Sequence, residues 1–533
     1  MKMTVSALFF IVFFYNVNAQ YKYWISFRDK ANVTFNPVSY FDKRAIMQKL
    51  EHNISLYDSS DFPVNAGYLS HISEKVDSVS WTSRWLNGVA VFATPEEIKT
   101  ISEFSFVKQI EPMTPQSLIS SISNNPLSEI DANDIALLHF QTQRMQGDSF
   151  ITHNLDGKGL RIAVFDVGFP GVDKHPAFAH LREGKQIVAT YDFVNRTEDV
   201  YKSHWHGTAT LSCIGGKIDS INIGMATGAE FFLARTEKIF SETYSEEENW
   251  LAAAEWADRQ GVNIISSSLG YTNRRYFNYQ MDGHTSLVSR AATIAASKGI
   301  LVVNAAGNEG SNSWHTIDTP GDADSVLTVG GTEPASDMHI YFSSFGPASD
   351  GRLKPNVCAV AEVIAARSNG GLAEEAGTSF STPLVAGFAA CAWQSHRQWS
   401  NMELFNAIEK SSHLYPYFDY AHGFGIPQAG RIISEQKIPE PTFDFVIINN
   451  DIKIILREKY SYTETETALG YNVRRNFYYK VEDKDGIMKN YSVLLADRKE
   501  MLHLFAEDFQ TGDVLTVHFE GYTNTLDFPG GIK

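Results

Sequence analysis

The chain is poor in cysteine. Cys213, Cys358 and Cys391 are the only three in 533 residues. An odd number cannot complete a disulfide framework, and no two stand at a metal-ligand spacing such as Cys-x-x-Cys. Each has apolar neighbours, so three buried free thiols are expected, in a fold stabilised by its core and not by staples. Positive charge is also short: 45 Lys and Arg against 62 Asp and Glu give a formal net charge of -17, which argues against nucleic acid as the main partner. Past the first residues no apolar run is long enough to span a membrane, and no internal repeat is present.

What is there begins like an export signal. Lys2 precedes the short apolar run Leu8–Phe14, and Val17-Asn18-Ala19 sets up a cut ahead of Gln20. Residues 1–19 therefore read as a signal peptide and the mature chain as secreted or periplasmic. The remainder, globular in composition, is long enough for two to four domains. Residues 20–112 read as a ferredoxin-like strand–helix–strand module, with strands at 21–27, 89–92 and 106–110. Its helix is opened by Thr94 as cap, then Pro95 and Glu97. Residues 113–134 form a polar linker rich in Ser and Asn. Residues 135–435 alternate strands (161–165, 230–234, 262–265, 300–303) with helices (246–260, 286–297). That order predicts an α/β parallel sheet with helices on both faces and its chemistry at the carboxyl ends of the strands. Residues 442–533 show strands only, with a hairpin turn at 449–451, and are expected to form a small β-sandwich.

Four short motifs carry possible chemistry. Gly377-Thr378-Ser379 precedes the apolar run Leu384–Ala390 and puts a serine at the mouth of a buried helix, whose free N–H groups suit a developing oxyanion. Taken alone, such a turn is more often a helix cap. Asp166 follows the strand 161–165, where a carboxylate either orients a histidine or turns the chain. His206-Gly207-Thr208 opens another apolar run, so His206 is a general base or a cap. His204 is the rival base, without the Gly-Thr context. Asn308, after a buried strand, either aims an amide into a cleft or makes a turn. Each signal is modest, but the order Asp, His, Asn, Ser on one α/β pattern is specific.

These blocks resemble the subtilases, the subtilisin-like serine proteases. The matching stretches are Val164–Gly168, His206–Thr208, Ser266–Gly270, Ala305–Gly310 and Gly377–Ser379, with Phe342–Pro347 and Lys354–Val357 in support. The likeness covers 135–435, the arrangement ahead of it is similar to that of secreted bacterial members, and 442–533 falls outside it. The resemblance implies a subtilisin-like peptidase domain preceded by a small inhibitory α+β prodomain, in a secreted serine endopeptidase made as a zymogen. It implies Ser379 as nucleophile, His206 as base and Asp166 as its orienting carboxylate. Asn308 would donate to the oxyanion together with the Ser379 N–H. Ser268, Leu269 and Gly270 would pair with an extended peptide, and Gly307 would leave room for the P1 side chain.

The partners so implied are protein or peptide substrates and the chain's own prodomain, with no nucleic acid or membrane, in a monomer. No cofactor is required for the chemistry. Structural calcium is common in the family, but no metal ligand is assigned, because Asp322 and Asp324 can equally be turn formers. Ala209-Thr210 stands where many members have His-Val, Ala359-Val360-Ala361 where Ala-Pro-Gly is usual, and Val167 where a small polar residue is common. These departures bear on cleft shape and not on a catalytic atom. Two rivals remain. One is a silent pseudoprotease that binds protein, against which the intact Asp166, His206 and Ser379 speak. The other is a sedolisin-like acid peptidase, which would use a glutamate where His206 stands.

Overall fold

The computed structural model describes residues 20–113, 132–238, 246–272, 276–434, 439–461, 466–468, 471–473 and 475–528. The expected signal peptide and most of the expected linker lie outside them. The chain divides into two compact units. The first consists of residues 20–34 and 62–113, and the second of Phe35–Asp61 together with the described residues from 132 onward.

The first unit is a four-stranded antiparallel sheet in the order Ser78–Ser83, Gly88–Ala93, Tyr21–Phe27, Val107–Met113. With helices at Ala66–Ser73 and Pro95–Ser102, this is the split βαβ arrangement of a ferredoxin-like module. Ile25, Phe27, Val89 and Val91 pack with Ile72 and Ile101 in its core. The helix Pro95–Ser102 starts as its sequence dictates. Thr94 Oγ1 accepts from the Glu97 N–H, and the Glu97 carboxylate accepts from the Thr94 N–H. Pro95 sits where no N–H is needed.

The tract 20–112 is interrupted by Phe35–Asp61, which packs within the second unit. Lys49 Nζ lies 2.5 Å from Asp258 Oδ1, and Lys298 Nζ lies 2.9 Å from both Asp58 and Asp61. Lys49, Asp61, Asp258 and Lys298 are all buried, which such groups tolerate only when paired. Burial pushes the Asp258 carboxyl up, against the pull of Lys49.

The second unit is built on seven parallel strands in the order Val357–Val360, Val326–Thr332, Leu301–Ala305, Ile264–Ser267, Arg161–Asp166, Glu230–Arg235, Ile187–Asp192. Near-continuous apolar runs such as Leu301-Val302-Val303 suit strands buried on both faces. Alternation assigns the faces. Ile162 and Val164 join the core that holds Leu211 and Ala386 of helices His206–Gly215 and Thr378–Ser395. Phe165 points the other way, its ring 5.4 Å from that of Trp250 in helix Glu246–Arg259. The strand expected at 262–265 is observed at Ile264–Ser267. The Val262 N–H is tied back to the Ala257 carbonyl in the preceding helix, and the ladder begins with Ile264 opposite Ile162.

The C-terminal strands form one three-stranded and one four-stranded antiparallel sheet, with a two-stranded hairpin of Glu466–Ala468 and Tyr471–Val473 besides. Ile452, Ile454 and Leu456 from one, and Leu515, Val517 and Phe519 from the other, share a core, so the two sheets face each other as a sandwich. Asn449 takes a left-handed conformation (φ 53°) in the turn between Phe443–Ile448 and Asp451–Leu456, as a tight hairpin requires. The three cysteines are free and buried, and burial pushes the Cys213 thiol up to about 12. No described helix is long and apolar enough to cross a membrane.

Candidate active site

Asp166 is the last residue of its strand and is fully buried. Three donors converge on its carboxylate: the Val167 N–H at 2.8 Å, Thr210 Oγ1 at 3.0 Å and His206 Nδ1 at 2.8 Å. A carboxylate only accepts, so Nδ1 carries the proton and His206 Nε2 is left with its lone pair free for a base's work. His206 is the first residue of helix His206–Gly215. Burial works to lower its pKa, but the charge and hydrogen bond of Asp166 overcome this, and the imidazole is held above its ordinary value. His204, the rival base, has its Nδ1 3.3 Å from the His206 N–H as an acceptor. Burial and the neighbouring His206 push its pKa down to about 4.

Thr210, one of the departures from the family pattern, is therefore a partner of the site's carboxylate. Thr210→Val removes a donor that shares the charge of Asp166, which strengthens the pull of that charge on His206. Activity that needs neutral His206 is lost as pH falls through the pKa of the imidazole. The acid limb of kcat/KM is thus expected above pH ~6.5, the ordinary histidine value, and higher still in Thr210→Val. Superimposable pH profiles would show that this hydrogen bond does nothing for the base.

Ser379 is the second residue of helix Thr378–Ser395. Pro383 lies in that helix and has no N–H, so it leaves the Ser379 carbonyl, four residues earlier, without its helical donor. The Ser268 hydroxyl supplies one at 2.8 Å, and the Ser379 hydroxyl in turn donates to the Ser268 carbonyl at 3.3 Å. Ser379 is thereby tied to the segment just beyond strand Ile264–Ser267. Its hydroxyl is not bonded to His206, whose ring centroid lies 5.5 Å from that of the adjacent Phe380. Bonds between nucleophile and base often close only around substrate.

Asn308 Oδ1 accepts from the Thr378 N–H at 2.9 Å and from Thr378 Oγ1 at 3.0 Å. The backbone N–H can only donate, which fixes the amide's orientation and leaves Nδ2 free. Gly377 has φ 148° and ψ 153°, a region essentially reserved for glycine. A Cβ there would lie 3.7 Å from both Asn308 Nδ2 and the Ser379 nitrogen, so two N–H donors flank one side of this turn. Leu269 is buried, and its carbonyl accepts from Asn304 Nδ2 at 3.1 Å. Gly270 and Gly307 both approach the side chain of Asp318.

Three participants escaped sequence reasoning: Thr210, Asp318 and the pair Arg367–Glu375. The Arg367 guanidinium stacks 3.6 Å over the Trp205 ring and pairs with buried Glu375. Burial raises the Glu375 carboxyl to about 7, with Arg367 and His206 pulling the other way. No motif spacing marks these residues, which the hairpin Glu362–Ala366/Leu372–Ala376 carries into place. Among the described residues no group of three or more His, Cys, Asp or Glu is placed to hold a metal. Asp322 accepts from Ser289 Oγ at 2.6 Å and the Gly283 N–H at 2.8 Å. Asp324 lies 4.0 Å from Arg352. No calcium ligand is assigned.

The profile of the subtilase family matches residues 157–425, and that of the peptidase S8 propeptide domain of Bacteroidota matches residues 22–127. The serine protease AprX of Bacillus subtilis (strain 168) is 27% identical over 365 residues, 62% of this chain and 78% of that one. Subtilisin Savinase of Lederbergia lenta is 28% identical over 271 residues, 50% of this chain and 89% of that one. A cold adapted subtilisin-like serine proteinase of known structure is 24% identical, with a TM-score of 0.41 over 52% of this chain and 89% of that one.

Proposed function

The chain belongs to the subtilase family of serine endopeptidases, and from that premise we propose that Ser379, His206 and Asp166 cut peptide bonds through an acyl-enzyme in a secreted or periplasmic protein. The observation that carries this reading is the buried Asp166 bonded to His206 Nδ1 at 2.8 Å, which leaves Nε2 as the only basic nitrogen of the ring. Ser379 Oγ attacks the scissile carbonyl carbon while His206 Nε2 takes its proton. The C–N bond then breaks as the imidazolium returns that proton to the leaving amine. Water, deprotonated by the same nitrogen, releases the acyl group and restores Ser379. The oxyanion is held by Asn308 Nδ2 and the Ser379 N–H. Ser268, Leu269 and Gly270 align the substrate as an added strand, and Gly307 lines the pocket for the P1 side chain.

The N-terminal propeptide domain makes the protein a zymogen. The proposed maturation cut falls in 113–134. N-terminal sequencing of the exported protein is then expected to find a start beyond Met113, and Ser379→Ala to accumulate the uncut chain. An active exported protein that still begins at Gln20 would contradict the zymogen mechanism. The buried ion pairs of Phe35–Asp61 give the propeptide its grip on the peptidase. Lys49→Met strands the Asp258 carboxylate, so inhibition by residues 20–112 added in trans is expected to weaken by about a hundredfold or more. An unchanged inhibition constant would place the grip elsewhere. A neutral to alkaline activity optimum is expected with His206 as base; a strongly acidic one would favour the sedolisin-like alternative.

A further inference from the structure

Asp318 is a buried carboxylate that no mechanistic step uses. It is 4% exposed, and among the described residues no N–H or hydroxyl donates to its Oδ1. Its position is defined by the two cleft glycines. A Cβ on Gly307 would lie 2.4 Å from Asp318 Oδ2, and one on Gly270 would lie 2.6 Å from the same oxygen. The side chain therefore fills the space behind both glycines, and only glycine at 270 and 307 lets it stand there. The Asp318 N–H donates to the Ala306 carbonyl at 2.9 Å, which ties the residue to the segment that presents Asn308.

The charges facing Asp318 are all of its own sign. Glu309 and Asp322 are its charged neighbours, and among the described residues no cation pairs with it. Glu309 Oε2 is itself held by the Asn308 N–H at 2.7 Å, so this second carboxylate stays at the same wall. Burial, then the charge of Glu309 and a hydrogen bond shared with it, push the Asp318 carboxyl well above its ordinary range. The two carboxyls thus share a proton at a low-dielectric wall, and a cation arriving there would displace that proton and pair with the charge it leaves.

We propose that Asp318, with Glu309 beside it, forms an acidic floor to the P1 pocket and selects lysine or arginine at the residue preceding the cleaved bond. This rests on the reading of Gly270 and Gly307 as cleft residues. A P1 ammonium or guanidinium entering between the two glycines would meet Asp318 and restore its charge, whereas an apolar P1 side chain would leave the two buried carboxyls with only each other. The preference is expected to strengthen as pH rises, because the unpaired carboxyl holds its proton longer than an ordinary aspartate. Residues 113–134 contain no lysine or arginine. The maturation cut would therefore not be directed by this pocket and would rely on the proximity of an intramolecular event.

The test is kcat/KM of the mature enzyme on peptides identical except for Lys, Arg, Phe, Leu or Ala at P1. Lys and Arg are expected to exceed the others by about a hundredfold, the scale of a desolvated ion pair losing one partner. Asp318→Asn and Asp318→Ser are expected to erase that advantage while cleavage after Phe or Leu is retained or improved, which also shows that the variants fold. Benzamidine, a free amidinium, is expected to compete with substrate in the wild type and not in Asp318→Asn. An apolar preference in the wild type, or a basic preference that survives in both variants, would overturn the proposal while leaving Ser379-dependent peptidase activity intact. Failure of every peptide would instead remove the peptidase reading beneath it, and the proposal with it.

Discussion

Ser379→Ala is expected to lower peptide turnover about a millionfold, the scale on which loss of the nucleophile acts in subtilisin itself. The fold should survive. The Ser379 side chain makes one hydrogen bond, at 3.3 Å to the Ser268 carbonyl, whereas the backbone of the same residue is held by the Ser268 hydroxyl and by helix Thr378–Ser395. Alanine keeps both backbone restraints and favours a helix. Thermal unfolding should therefore shift by little while turnover collapses. The acyl-enzyme is lost because no other hydroxyl stands where Oγ stands, so the residual rate should show no burst phase. Casein hydrolysis by purified Ser379→Ala at the wild-type rate would remove Ser379 from the chemistry.

Asn308→Ala is expected to lower kcat by about a hundred- to a thousandfold with a small change in KM; the range is that found for an oxyanion-hole amide in subtilisin. The physical reason lies in the Thr378 bonds. Oδ1 is spent on the Thr378 N–H and hydroxyl, so the amide is oriented before substrate arrives and Nδ2 pays no reorganisation when negative charge develops. Loss of such a donor weakens the transition state more than the ground state. An effect confined to KM would make Asn308 a substrate contact. Alanine also leaves the Thr378 N–H without its acceptor, so Asn308→Asp, which keeps that acceptor and removes the donor, separates the two losses. It is expected to be as impaired as alanine or more so.

Part of this fold was legible because several central strands are buried along nearly their whole length. Runs such as Ile162-Ala163-Val164-Phe165 and Leu301-Val302-Val303 have no polar face to confuse their reading, and the capping box at Thr94–Glu97 announces its helix outright. The Asp166, His206 and Ser379 motifs were legible for a related reason. Each sits at a strand end or a helix start, where a sequence changes from apolar run to turn. What stayed hidden depends on long-range pairing. Lys49, Asp258 and Lys298 stand in no motif, yet all three are buried in ion pairs with segments far away in the chain. Thr210 stood out only as a departure from a family pattern; its bond to Asp166 appears once helix and strand are set side by side. Asp318 lies in an ordinary turn sequence, Ile317-Asp318-Thr319-Pro320-Gly321, and only the close approach of Gly270 and Gly307 marks it out. Pro383, inside the helix that carries Ser379, frees the carbonyl that Ser268 pins.

Covalent capture reports whether Ser379 is a nucleophile activated by His206. A fluorophosphonate loses fluoride to an activated serine hydroxyl and leaves a phosphonyl–oxygen bond whose position peptide mass mapping can read. One adduct on the mature protein, at Ser379, is predicted. It should be absent in Ser379→Ala, formed far more slowly in His206→Ala, and matched mole for mole by loss of peptidase activity. An adduct on a different residue, or full peptidase activity in protein that carries the label at Ser379, would contradict the account.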